Sequence, residues 1–293
     1  MAISTVKATI NGQQYTLTWD SATSKHKATI TAPSTSSYNQ SGHYYDVQVQ
    51  ATDVAGNVTT KDSSDGTLGA SLQLTVKEKV APVISLTNPT NGATLINNKP
   101  TITWTVTDLD SGVATATIKI DGGTTQTVTG SPITNGYSYS YTPSVALADG
   151  SHTIYLNATD NDGNAATQVS ASIKIDTVPP VLNISSPADA LVTNQTSVTV
   201  SGVTNDATSS PVSVTVNGTA TTVDVGGNFS KTVNLVEGSN TITVVATDAA
   251  GKSTTITRTV TRDTVAPTFS SVTITPNPVD CGATFIISVG VSD

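Results

Sequence analysis

Three stretches of the chain close on the same sequence. HYYDVQVQATDVAGN (residues 43–57), HTIYLNATDNDGN (152–164) and NTITVVATDAAGK (240–252) each alternate apolar and polar side chains, then reach Ala-Thr-Asp and a Gly. A period of two is the pattern of a strand with one buried and one wet face. Val47, Val49 and Ala51 fall in register with Ile154, Leu156 and Ala158, and with Ile242, Val244 and Ala246. These are the expected buried positions. Gly56, Gly163 and Gly251 supply the positive φ that a tight turn requires, and the Asp before each is placed to accept from backbone amides of that turn. A motif written three times is read as architecture before any of its residues is assigned chemistry.

Two further elements repeat. ATINGQQYTL (8–17), IKIDGGTTQTV (118–128) and VTVNGTATTV (214–223) carry Asn-Gly or Asp-Gly between alternating runs, a strong short hairpin signal. VKEKVAPVISL (76–86), IKIDTVPPVLNI (173–184) and VTRDTVAPTFSSV (260–272) mark junctions, with Pro82, Pro180 and Pro267 at strand starts where a missing amide breaks no ladder. The expected units are 1–80, 81–177, 178–264 and 265–293. Only 36% of the chain is apolar and 4% aromatic, which suits several small cores better than one large one. Charged residues make up 12%, about half the usual share, and 55 of the 293 residues are Thr, a β-former suited to half-exposed strands. The expected fold class is all-β: tandem antiparallel β-sandwiches of about seven short strands each, arranged as a rod. Three units in line would span on the order of 100 Å.

The run VNGTATTVDVGGNFSKTVNLVEGSNTITVVATDAAGKSTTITRTVTRDTVAPT (216–268) resembles bacterial immunoglobulin-like repeats. That resemblance covers nearly the whole chain. It implies a fold found in surface adhesins, in accessory regions of secreted enzymes and in phage virion proteins, and it fixes no single role.

The ends differ from the middle. In the second unit VISLTNP and TITWTVTD, with Ile102, Trp104 and Val106 facing inward, precede the hairpin. The first unit lacks both leading strands, and the last segment, FSSVTITP and ATFIISVGVSD, matches only those two. Incomplete sandwiches leave ladder groups and apolar faces to be covered. One expectation is head-to-tail strand exchange, in which residues 268–293 of one copy complete the first unit of another. The alternatives are that the sequence is cut from a longer protein, or that residues 61–76 close the first unit locally.

Several classes are excluded. The net charge is −8, the pI is near 4.6, and no run of Lys or Arg occurs, so the electrostatic footprint of a nucleic-acid binder is missing. No apolar stretch approaches the roughly 18 residues of a membrane span, and MAISTVKATI lacks the pattern of a signal peptide. Cys281 is alone; it is expected to be a small buried apolar residue. His26, His43 and His152 converge on no nucleophile, and no Gly-x-Ser-x-Gly, His-Glu-x-x-His or phosphate loop occurs. The chain is therefore read as no enzyme.

The acidic residues leave two readings. In such a sandwich the loops after the second and sixth strands share a pole, which brings Asp108 and Asp110 near Asp160 and Asp162, with Glu78 in the approaching linker. The oxygens either serve polar turns or bind calcium, which takes six to eight such ligands. The D-N-D-G-N spacing puts Gly too early for an EF-hand loop. The third unit keeps Asp206 and Asp248, but has Lys252 where the others have Asn57 and Asn164, and this counts against calcium there.

Tyr137, Tyr139 and Tyr141 share one strand face. They are either core or, if exposed, a platform for a cell-surface glycan. The expected function is structural or attaching: an accessory phage tail or capsid protein, since the first strand follows Met1 with no leader, partnered by itself or other virion proteins. A bacterial surface adhesin or stalk and the non-catalytic region of a secreted carbohydrate-active enzyme are the alternatives. The corresponding location is a virion or a cell surface.

Overall fold

The computed structural model describes residues 2–293. Their contacts divide into two compact units, one ending at Ile175 and the other beginning at Asp176.

The first unit opens with a single sheet. Strands β1 (Ile3–Ile10), β2 (Gln13–Asp20), β3 (Lys25–Lys27), β4 (Tyr45–Asp53) and β5 (Val58–Lys61) lie in the order β3-β2-β1-β4-β5, and β6 (Gln73–Leu74) also pairs with β4. Asn11 and Gly12 turn β1 into β2 with φ of 47° and 74°, the two positive values of a type I′ hairpin that Asn-Gly tolerates. Residues 28–44 form no strand and contain two short 3-10 turns, Ser37–Asn39 and Ser41–His43. A third, Gly69–Leu72, lays Leu72 against the sheet. Among the described residues no second sheet faces this one. Its buried apolar side chains are Ala8, Ile10, Tyr45 and Leu72, whereas Val47, Val49 and Ala51 are only half-buried.

A sandwich follows. It comprises β7 (Val83–Asn88), β8 (Ala93–Leu95), β9 (Ile102–Thr107), β10 (Val113–Ile120), β11 (Gln126–Thr127), β12 (Ser131–Ile133), β13 (Gly136–Tyr141), β14 (Gly150–Asp160) and β15 (Val169–Ile175). The sheets are β12-β13-β9-β7 and β11-β10-β14-β15-β8, with β8 parallel to β15. Alternation places Ile102, Trp104 and Val106 of one sheet against Ile118, Ile154, Leu156 and Ile173 of the other, all at 1% exposure or less. Burying each such side chain contributes about 1.5–3 kcal/mol before the entropic cost of ordering the chain. Tyr139 stacks on Trp104 at 5.3 Å, and Tyr137 and Tyr141 pack on the same core. The tyrosine stripe is core, because its face is the one that β9 presents inward.

One hairpin departs from expectation. Asp121 has positive φ but Gly122 does not, and β10 meets β11 only across the Thr117 to Thr127 and Ile118 to Gln126 pairs. The extra Gly123 lengthens the connection, its N–H closing on Ile120 O at 3.0 Å.

The second unit contains another sandwich: β16 (Val181–Ser186), β17 (Leu191–Thr193), β18 (Ser197–Asn205), β19 (Ser213–Val216), β20 (Thr219–Thr221), β21 (Asn228–Asn234), β22 (Gly238–Thr247) and β23 (Ser253–Arg262). Its sheets are β16-β18-β21 and β17-β23-β22-β19-β20. Val200, Val214, Phe229, Ile242, Val244 and Val260 fill the space between them. Last comes a hairpin of β24 (Thr268–Thr275) and β25 (Ile286–Ser292) that forms its own two-stranded sheet. It pairs Phe269 with Val291 and Val272 with Val289, as β7 and β9 pair Ile84 with Val106 and Leu86 with Trp104. These apolar side chains are exposed in the hairpin. Cys281, in its connecting loop, is exposed too, which corrects the expectation of a buried thiol: among the described residues nothing packs over this hairpin to bury it.

Candidate metal centre

Each Ala-Thr-Asp turn is built as its sequence suggests. Asp53 Oδ1 accepts from Ala55 N and Asn57 N, both at 2.9 Å. Asp160 Oδ1 accepts from Asn164 N at 2.7 Å, and Asp248 Oδ1 from Lys252 N at 2.8 Å. Gly56, Gly163 and Gly251 sit at φ of 87°, 93° and 88°. One oxygen of each Asp is therefore committed to its own turn.

At two places such an Asp joins two more carboxylates. Glu78, Asp108 and Asp160 offer oxygens within 4.8 Å of one another, and so do Asp176, Asp206 and Asp248. The trios are equivalent in the repeat: Glu78 stands four residues before Pro82 as Asp176 stands four before Pro180, Asp108 and Asp206 follow β9 and β18, and Asp160 and Asp248 close β14 and β22.

Of the four ligands expected from sequence, Asp108 and Asp160 meet at the first trio. Asp110 and Asp162 lie outside it and serve as acceptors. Asp110 Oδ2 takes the N–H of Ser36 at 2.8 Å, and the Asp110 carbonyl accepts from the Asn39 side-chain amide. Asp162 Oδ2 takes the N–H of Glu78 at 3.0 Å, and the Asp162 carbonyl accepts from Lys77 Nζ at 3.2 Å. These two residues tie the segments at 36–39 and 77–78 to the first sandwich.

The first trio is well supplied with donors. Asp108 Oδ1 accepts from Gly112 N at 2.6 Å, Glu78 Oε1 from Ser111 N at 2.7 Å, and Asp160 Oδ2 from Asn164 Nδ2 at 2.7 Å. Burial pushes the Glu78 carboxyl above its ordinary value, Ser111 opposes that shift, and the charges of Asp108 and Asp110 add to it.

The second trio is not so supplied. Asp206 Oδ1 accepts from Thr208 N and Ser209 N at 2.7 and 2.5 Å, and Asp176 Oδ1 from Val178 N at 3.3 Å. Asp176 Oδ2 and Asp248 Oδ2 have no hydrogen-bond partner, although Asp176 is 0% and Asp248 6% exposed. The buried hydroxyls of Ser209 and of its equivalent beside the first trio, Ser111, are both unpartnered, so the carboxylate oxygens alone distinguish the two trios. Two substitutions within the repeat account for this. Lys252 replaces Asn164, so no side-chain amide caps Asp248 Oδ2. Asp176 replaces Glu78 and is one methylene shorter, while the Ser209 N–H that would correspond to Ser111 goes to Asp206 instead. Sequence reading counted Lys252 against a site here; in the structure it is what leaves an oxygen free. Asp176 was missed altogether, although its spacing from Pro180 was visible.

The chain carries tandem immunoglobulin-like domains. Residues 82–156 match the family described as bacterial Ig domain, and residues 180–264 match glucodextranase, domain B. No curated protein matches the sequence. Among solved structures, the fibronectin(III)-like modules of Clostridium thermocellum CbhA are 17% identical, covering 62% of this chain and 94% of theirs at a TM-score of 0.39. A bacterial ice-binding adhesin studied for host cell surface retention is 21% identical, covering 90% and 88% at a TM-score of 0.32. Titin domains I67–I69 are 13% identical, covering 89% and 88% at 0.44. No helix among the described residues is long and apolar enough to cross a membrane.

Proposed function

We propose that the chain is a non-catalytic structural or attachment protein that works at an exposed surface, as part of a virion or of a bacterial envelope. The supporting observation is that the candidate side chains of the turns and hairpins belong to repeated structural devices. The turn aspartates cap their own turns, and Asp121 and Asn217 clip equivalent hairpins to the neighbouring strand through Thr153 N and Thr243 N. An active site is assembled once, whereas these groups recur. The match of residues 180–264 to glucodextranase domain B favours a second reading, the accessory region of a secreted carbohydrate-active enzyme.

Incubating the chain with soluble α-glucans tests the absence of catalysis: release of reducing ends would overturn it. Brief protease treatment of intact particles or cells tests the location, and the surface reading expects release of fragments of this chain.

Strand exchange between copies is part of the same proposal. The exposed face of β24–β25 reproduces the pairing of β7 with β9, and among the described residues no sheet lies opposite the half-buried face of β4. Size exclusion is expected to give a concentration-dependent oligomer that is lost when the chain is ended at Val265; an unchanged state would remove the idea.

A further inference from the structure

We infer that Asp176, Asp206 and Asp248 form a binding site for a hard divalent cation of the calcium class, independent of whether the protein attaches or spaces. Leaving a buried carboxylate oxygen without a donor is costly, and two of them side by side add mutual repulsion. Asp176 Oδ2 and Asp248 Oδ2 are such a pair of orphans, in a trio whose ligand oxygens lie within 4.8 Å of one another. No Lys, Arg or His nitrogen among the described residues forms an ion pair with any of the three. Among the described residues these two oxygens therefore have neither a hydrogen-bond donor nor a cationic side chain beside them.

The donor set selects its chemistry. All three ligands are carboxylates, and the unpartnered hydroxyl of Ser209 adjoins Asp206. With no imidazole or thiolate in the group, the site suits an oxygen-seeking ion rather than zinc or copper. Two oxygens on one calcium, each at about 2.3–2.6 Å, stand no more than about 5 Å apart, which the trio satisfies. Asp206, the half-exposed member of the trio, also lines a surface groove with Asn205, Pro211, Val223 and Gly226.

The contrast with the first trio strengthens the assignment. There Asn164 and Ser111 supply N–H donors to the corresponding oxygens, so those carboxylates are satisfied without an ion. The cluster at Glu78 carries no such inference.

Equilibrium dialysis of the full chain against calcium chloride, with thermal melting in calcium and in EDTA, tests the site. The expected result is uptake of calcium by the native chain with a raised melting temperature, loss of one equivalent in Asp248→Asn, and no loss in Glu78→Gln. Lys252→Asn, which restores the amide of the first trio, is expected to weaken uptake about tenfold. If Asp248→Asn does not fold, Asp206→Asn, at a half-exposed position, reads the same loss. Absence of uptake at millimolar calcium by the native chain would overturn the inference, as would a folded Asp248→Asn or Asp206→Asn that keeps every equivalent. Loss confined to Glu78→Gln would also overturn it, by moving the ion to the first trio. None of these outcomes bears on reducing-end release or surface exposure.

Discussion

Strands β4 and β14 carry the same motif and reach the same turn, yet only one of them lies in a core. Ile154, Leu156 and Ala158 are 0%, 0% and 3% exposed, because β9 and β13 bring a second sheet over them. Val47, Val49 and Ala51 stay half-buried on a single sheet, with only the short turn carrying Leu72 laid against it. Alternation decides which face of a strand is apolar; burial depends on what lies opposite. The two acidic trios teach the same lesson in polar chemistry, since equivalent carboxylates are satisfied or orphaned according to two exchanged side chains, Lys252 for Asn164 and Asp176 for Glu78.

The largest test of this comparison is in the cores. Leu156→Ala is expected to destabilise the first sandwich by about 2–5 kcal/mol, by lost transfer energy and a residual cavity. Val49→Ala in the first sheet should cost under about 1 kcal/mol, because a half-buried site loses less apolar area and leaves no closed cavity. Denaturant unfolding reads both, with buried Trp104 reporting on the sandwich and exposed Trp19 on the sheet. Equal losses would break the distinction between the regions.

A smaller effect is expected from exchanging the residue that separates the trios. Asn164→Lys removes the amide from Asp160 Oδ2 and should cost about 1–3 kcal/mol in EDTA, measured by thermal melting. Recovery of that loss by added calcium would sharpen the comparison, since it would turn the first trio into the second.

The hairpins come next. Gly218→Ala forces an Ala to φ near 73° and should cost about 1–2 kcal/mol. Gly122→Ala meets neither a positive φ nor a neighbouring atom and should be close to neutral, so that chemical denaturation separates two positions which look alike in sequence.

The smallest effect belongs to His152. Burial lowers its pKa, but the Ala148 carbonyl, which its ring contacts at 2.8 Å, and the Asp121 carboxylate at 2.7 Å overcome this and leave it raised. The contribution to stability is therefore fully present below the unfolded value near 6.5 and is lost as pH rises through the folded pKa. Melting of the native chain should fall slightly across that window, and His152→Gln should remove the dependence.

By itself the sequence determined the local structure: the period of two that made strands, the Asn-Gly and Ala-Thr-Asp turns, the proline-marked starts and the inward side of β9 with Ile102, Trp104 and Val106. These are short-range consequences of sterics and alternation, written within ten residues or so. Only the tertiary structure decided which oxygens have donors. Asp110 and Asp162 were spent on backbone amides from distant segments, Asp176 was brought to Asp248 across more than seventy residues, and Lys252 left an oxygen free. Hydrogen-bond satisfaction depends on ångström distances between chain segments far apart in sequence, and no local pattern encodes those distances.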